Sequence, residues 1–432
     1  MDTEMEKSLQ LWGGVECTVN RVGDRFFNQL ERNGHFDRAR DLDRFASLGL
    51  RTLRFPLLWE MLAPHSQDEL DWSWPDNRLS RARELGIRPI AGLLHHGSGP
   101  VYTNLLDPRF PEKFAQYAAE VARRYPWIDA YTPVNEPLTT ARFSALYGHW
   151  YPHAQDDNSF ARALLNQCRG TVLAMRAIRE TNPHAQLIQT DDLGKTFSPP
   201  ALSYQADFEN ERRWITWDLL LGAVNRAHPL WSYFKWAGIS DSELEVFLRE
   251  PCPADLIGAN YYVTSERYLD DDFSAHPPEC RGGNGRDIYA DVAAVRSELS
   301  DISGPKNLLM ELWERYRTPI AITEAHLGCT PDEQLRWFMG IWNAANEARS
   351  EGADVQAVTV WSLLGSFDWN SLVTREDGHY EPGVFDVYDG EPRETLLGEM
   401  VREITARGTF DHPCLATPGW WERERLPERQ VA

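Results

Sequence analysis

AYTPVNEP (residues 130–137) and TPIAITEA (residues 318–325) are two short runs of strand-favouring side chains, and each ends on a carboxylate, Glu136 in one and Glu324 in the other. Six more runs of the same character lie around them: LQLWGG (9–14), LRTLRFPLLW (50–59), RPIAGLLHH (88–96), AQLIQTDDL (185–193), DLIGANYY (255–262) and VQAVTVWSLLGS (355–366). Helical signatures with cap or turn residues before them fall between, from Pro111 to Tyr125, Ser159 to Glu180, Pro331 to Ser350 and Thr395 to Arg407. Eight strands alternating with helices predict an α/β fold of parallel βα units, closed into a single (β/α)8 barrel of the TIM type.

Such a barrel needs only about 250 residues, and the chain has 432. The surplus is assigned to long βα-loop insertions, chiefly residues 194–254 and 263–317. RGGNGR (281–286) within the second has the glycine content of a flexible loop; no strand is read before it and no Lys-Ser/Thr follows, so it is not a phosphate cradle. No composition break marks a linker and no repeat is present. The expected organisation is a frayed N-terminus over residues 1–8, a catalytic barrel over 9–408 and a C-terminal tail over 409–432, with Trp420 and Trp421 either packed back on the barrel or free.

Sixty-five acidic against 44 basic residues give a net charge of −21, which opposes nucleic acid and anionic membrane as partners. No apolar run approaches the roughly 18 residues of a membrane span, and the polar start MDTEMEKSLQ lacks the features of a signal peptide. A cytoplasmic location is the expectation. The six cysteines form no CxxC pair and read as reduced thiols, mostly buried, and no HxH or HExxH spacing is present. Neither a metal nor another cofactor is expected, which sets aside a metal-dependent hydrolase on the same barrel.

Catalytic groups of a barrel enzyme stand at strand C-terminal ends, where Glu136 closes the fourth strand and Glu324 the seventh. Cleaving an acetal needs one carboxylic acid to protonate the leaving oxygen and one carboxylate at the anomeric carbon. Two carboxyls about 5–5.5 Å apart divide those roles, because their repulsion keeps one protonated while the other is ionised. Arg54 sits inside the apolar LRFPLLW, where an unpaired cation is costly, so it is expected to meet a carboxylate, with Glu324 the candidate. His95 and His96 are neighbours on a strand, so only one is expected to enter the lumen, and a two-histidine metal site is disfavoured.

WGGVECTVNRVGDRF, LRFPLLWEMLAP, LLHHGSGP, TPVNEP, IGANYYVTS, PIAITE and WSLLGSFDW follow one another in an order and spacing similar to glycoside hydrolase family 1. The resemblance covers residues 9 to 407. It implies a retaining β-glycosidase with Glu136 as acid/base and Glu324 as nucleophile, the latter oriented by Arg54 and Tyr262. It further implies a sugar pocket drawn from Asn20, His96, Asn135, Asn260, Trp361, Asp368 and Trp369. Asn20 stands where the family has Gln, and Asp368 where it has Glu, each one methylene shorter. Glu324-Ala325-His326 replaces Glu-Asn-Gly, and Gly97-Ser98 replaces Trp-Asp, changes that touch the aglycone rim.

The expected partner is a small soluble β-glycoside; sequence leaves the sugar, the aglycone and the oligomeric state open. Two alternatives stand beside hydrolysis. One is a non-catalytic sugar-binding barrel, and the other a transglycosylase that passes the same glycosyl-enzyme to an alcohol.

Overall fold

The computed structural model describes residues 8–298 and 301–422. Eight strands close a ring: β1 (Gln10–Gly14), β2 (Thr52–Pro56), β3 (Arg88–His95), β4 (Ala130–Asn135), β5 (Gln186–Asp192), β6 (Leu256–Tyr262), β7 (Ile320–His326) and β8 (Val355–Val360). Seven lie within the runs read as strands, and β7 exceeds its run by one residue, His326. All neighbours are parallel, and β8 returns to β1 with Gln10 opposite Ala357 and Gly13 opposite Val360. Two runs prove longer than their strands. After Pro56 the chain turns into a short helix, Trp59–Leu62, and after Val360 it leaves the ring; both continuations are apolar because they are buried loop, not strand.

Inside the ring, Trp12, Ile90, Ala130, Ile188, Leu256, Ala321 and Ala357 form a separate buried cluster. Seven strands contribute one side chain each, and the three alanines make room for the indole, so the lower lumen is packed and not a pore. The outer core lies between the ring and the helices α1 (Phe110–Arg124), α2 (Asp157–Thr181), α3 (Gly304–Tyr316), α4 (Pro331–Ser350) and α5 (Leu396–Arg407). Their ends follow local chemistry. Asp156 caps α2 by accepting the Ser159 amide at 2.9 Å, and Gly408 closes α5 with φ 76°.

The insertions build the rim. Lys195–Phe197, Glu266–Asp270, Ile288–Ala293 and Arg281–Gly283 form a small sheet over one side of the barrel mouth. The segment read as a flexible loop is therefore in part an edge strand: Arg281–Gly283 pairs antiparallel with Ile288–Ala293, and the Asn284 carboxamide accepts the amides of Arg286 and Asp287 to shape the turn. Beyond α5, Trp421 packs edge-on against Trp337 of α4 at 5.0 Å and the Trp420 amide reaches Glu333. The tail thus lies back on the barrel as far as Glu422, while its residues 423–432, and residues 1–7 of the expected N-terminal fray, fall outside the described residues. Cys17, Cys168 and Cys252 are buried and Cys280, Cys329 and Cys414 partly so, all as free thiols.

The simple alternation of a strand fails at the upper ends of β3 and β7, and both failures matter to the site. On β3, Leu93 and Leu94 both join the outer core, which resets the pattern before His95. On β7 the register slips between Ile322 and Glu324, so Glu324 stands opposite Asn260 of β6. A bulge of this kind re-aims the side chains that follow it. At the top of β1 the constraint is space: a Cβ on Gly14 would lie 2.5 Å from the Trp361 indole. Gly14→Ala is expected to cost about 1–3 kcal/mol through overpacking, read as a lowered urea midpoint, with the indole displaced in a crystal structure of the variant. An unchanged midpoint would mean that the contact relaxes freely.

Candidate active site

The strand C-termini open into a cavity of about 890 Å³ lined by Glu136, Glu324, His96, Tyr262, Trp361 and Trp369, among others. Beneath that lining lie Arg54, Asn135 and Asn260, all buried. Arg54 rises from β2 and joins three strands: its Nη1 donates to Glu324 Oε1 at 2.5 Å and to the Thr323 carbonyl at 3.0 Å, and its Nη2 to Asn135 Oδ1 at 2.6 Å. Its guanidinium also lies over the Trp361 ring, 4.8 Å from the centroid. The other Glu324 oxygen accepts the Tyr262 hydroxyl at 2.5 Å.

Glu136 has a different environment. It follows β4 with φ 47° and ψ 65°, a left-handed conformation that is uncommon for a side chain of this size and that turns the carboxyl away from the strand's own alternation. Its Oε1 accepts the Asn260 amide at 2.6 Å, and its nearest basic group is His96 Nε2 at 3.8 Å. Burial, then the Glu324 carboxylate, then Asp192 and Asp191 push the Glu136 carboxyl well above the ordinary carboxylate range, opposed by the Asn260 hydrogen bond. The His96 imidazole supplies no charge, because burial and the Arg54 charge lower it to about 3. The two glutamates thus sit in opposite surroundings, Glu324 paired with a guanidinium and Glu136 beside an amide and a neutral imidazole.

Both histidines face the site, contrary to the expectation that only one could. His95 lies parallel to the Trp361 ring at 5.5 Å with Nε2 4.0 Å from Glu324 Oε1. His96 adopts φ 57°, which takes it off the strand geometry on which the opposite-faces argument rests, and the two rings meet edge to face at 4.8 Å. Asn135 Nδ2 lies 3.3 and 3.5 Å from the two Nε2 atoms, and Thr140 Oγ1 lies 3.0 Å from His96 Nδ1.

Four expected sugar contacts, Asn135 among them, lie outside the cavity lining and bond to the protein itself. Asn20 is fully buried and donates to the Val373 carbonyl at 3.0 Å. Asp368 accepts the amides of Asp377 and His379, both at 3.0 Å, and pairs with Arg32 at 3.0 Å. Neither is in the cavity lining: the missing methylene leaves each bonded within its own wall. Asn260 holds Glu136 and is itself fixed by the Thr323 hydroxyl at 2.7 Å. Reasoning from sequence missed Glu16, Asp192 and His95. The first two follow or end barrel strands β1 and β5 and line the same cavity, so their position at strand C-termini was the available signal.

Among the described residues no group of three or more His, Cys, Asp or Glu side chains is arranged to hold a metal ion, and no helix is long and apolar enough to cross a membrane.

The family model of glycosyl hydrolase family 1 matches residues 31–379. Beta-glucosidase 47 of Arabidopsis thaliana is 22% identical over 459 residues, covering 97% of this chain and 83% of that protein. Phospho-cellobiase of Klebsiella oxytoca is 22% identical, covering 80% of this chain and 79% of that protein. Among solved structures, the family 1 β-glucosidase from Thermotoga maritima superposes with a TM-score of 0.72 over 88% of each chain at 16% identity. A barrel with two glutamates at the ends of β4 and β7 defines the class, a glycoside hydrolase on the TIM fold. Within that class the chain belongs to glycosyl hydrolase family 1.

The clamp on Asp368 has a measurable consequence. Asp368→Ala is expected to destabilise the fold by about 2–4 kcal/mol, because it orphans two backbone amides and breaks an ion pair whose acidic partner is buried. A denaturant midpoint that stays put while ligand affinity falls would instead assign the carboxylate to the sugar.

Proposed function

We propose that the protein is a retaining β-glycosidase that hydrolyses a small soluble β-glycoside by double displacement, with Glu324 as nucleophile and Glu136 as acid/base. The observation that carries this reading is the asymmetry of the pair. One carboxylate is neutralised by Arg54 and Tyr262, while its partner has only an amide and a neutral imidazole beside it and keeps its proton. The relatives named above, a β-glucosidase and a phospho-cellobiase, support a β-linked hexoside as the substrate class.

In the first step Glu324 attacks the anomeric carbon, the C1–O bond breaks toward the leaving oxygen, and that oxygen takes the Glu136 proton. The negative charge moves from Glu324 to Glu136. The charge then opposing ionisation of Glu136 is gone, because Glu324 has become a neutral ester, and the Asn260 amide is in place to stabilise the new carboxylate. Glu136 next removes a proton from water, the water oxygen bonds C1, and the ester opens to restore Glu324. Tyr262 and Arg54 hold the nucleophile in line, and His96, Trp361 and Trp369 bound the sugar, with Asn135 beneath them.

Glu324→Ala is expected to lower kcat by roughly 10⁴-fold or more, with added azide restoring turnover as an α-glycosyl azide; activity that persists without azide removes Glu324 from the mechanism. The pH profile tests the acid. Activity should fall as pH rises through the raised Glu136 value, since only the protonated form serves the first step. Asn260→Ala removes the bond that favours the ionised form, so this alkaline limb should move upward by about one pH unit, the worth of one hydrogen bond to a charged group. A limb that moves downward, or not at all, would refute the assignment.

A further inference from the structure

Glu16 is the one carboxyl at the end of β1, and the double displacement has no use for it. It lies two residues past Gly14, the last residue of β1, and it lines the same cavity as Glu136 and Glu324. It is only 3% exposed. Its position is fixed from three sides: its amide donates to Ser362 Oγ at 2.9 Å, its carbonyl accepts the Asn33 carboxamide at 3.2 Å, and Oε1 accepts the Thr18 amide at 2.8 Å. Burial pushes the carboxyl up to about 7, with the Glu324 charge acting the same way and hydrogen bonds from Thr18 and the Trp361 side chain opposing it.

No arginine, lysine or histidine of the described residues forms an ion pair with Glu16, although the other carboxylate in this pocket wall that serves the fold, Asp368, has Arg32. A buried carboxyl without a cation is costly unless something polar meets it. At the same time neither Asn20 nor Asp368 lines the cavity: the Asn20 amide nitrogen is taken by the Val373 carbonyl, and both Asp368 oxygens are bonded within the protein. A second observation points the same way from across the cavity: Trp369 Nε1, a buried donor in the lining, has no acceptor in the protein. A sugar hydroxyl, which both donates and accepts, satisfies either group.

We propose that Glu16 is a specificity-determining residue of the glycone subsite, accepting a hydrogen bond from a free hydroxyl of the substrate's sugar in place of Asn20 and Asp368. The inference rests on the glycosidase reading, and it names the substrate class further: a β-glycoside whose glycone keeps an unsubstituted hydroxyl on the edge facing β1. A carboxyl in a dry pocket discriminates strongly, since a sugar lacking that hydroxyl leaves part of its hydrogen-bonding capacity buried and unmet.

The test compares the wild-type enzyme, Glu16→Gln and Glu16→Ala on the best-cleaved 4-nitrophenyl β-glycoside and on its singly deoxygenated analogues. Glu16→Ala should lower kcat/KM on the parent glycoside by about 10–100-fold, with Glu16→Gln recovering part of the loss. For one deoxy analogue, already poor with the wild type, the penalty should shrink to within about twofold. An equal penalty on every analogue would mean a structural role, and no penalty would mean no contact; either overturns the proposal. If the wild type cleaves no glycoside, the functional reading fails first, and calorimetric binding of the parent monosaccharide and its deoxy forms to the same three proteins still decides on Glu16 by the same comparison.

Discussion

A buried guanidinium holds this site together. Arg54 sits on β2 among side chains that exclude water, and a cation there is tolerable only because its donors are met on three sides, by Glu324 and the Thr323 carbonyl on β7 and by Asn135 on β4. The indole of Trp361 covers its face. Each partner is as dependent on Arg54 as it is on them: without the cation, Glu324 would be an uncompensated charge, and Asn135 would lose the contact that orients its amide toward the two histidines. The network ties three strands and the segment after β8 into one surface.

From that surface follows the difference between the two glutamates. They share a cavity and a low-dielectric surrounding, yet only one is paired with the guanidinium; the other has burial as its dominant influence and the neighbouring carboxylates as its next. The neutral state of His96 is part of the same arrangement, because the Arg54 charge and the lack of water both act against a second cation. Polarity in this pocket is thus apportioned by one residue that never needs to touch a ligand. Asp192, hydrogen-bonded by Ser265 at 2.5 Å and raised to about 6 chiefly by burial, is one of the carboxylates that push Glu136 up.

The site also depends on backbone irregularities that place side chains where a regular strand would not. Glu136 and His96 both leave their strands with positive φ, and Glu324 reaches the lumen across a register shift. Conformations of this kind cost on the order of 1–3 kcal/mol each, and here the surrounding bonds hold them: Thr140 on His96, Asn260 on Glu136, Arg54 and Tyr262 on Glu324. The two shortened residues, Asn20 and Asp368, show the opposite outcome, since each finds partners in its own wall and stiffens the loops around residues 368–379.

The eight strands and four of the helices were legible in the chain because periodicity, cap residues and β-branched runs are local properties, and the glutamates stood out because each closes a strand. Arg54 was readable for a similar reason, as a charge in an apolar run that had to be met somewhere. What could not be read was any feature set by three-dimensional closure. That both histidines turn inward, that Asn260 serves Glu136, that Asp368 is clamped by Arg32 and that Glu16 enters the cavity all depend on register and on groups hundreds of positions apart. Local sequence determines which segments form strands and which charges need partners; only the closed barrel decides which partner each one gets, because that choice rests on distance and on exclusion of water.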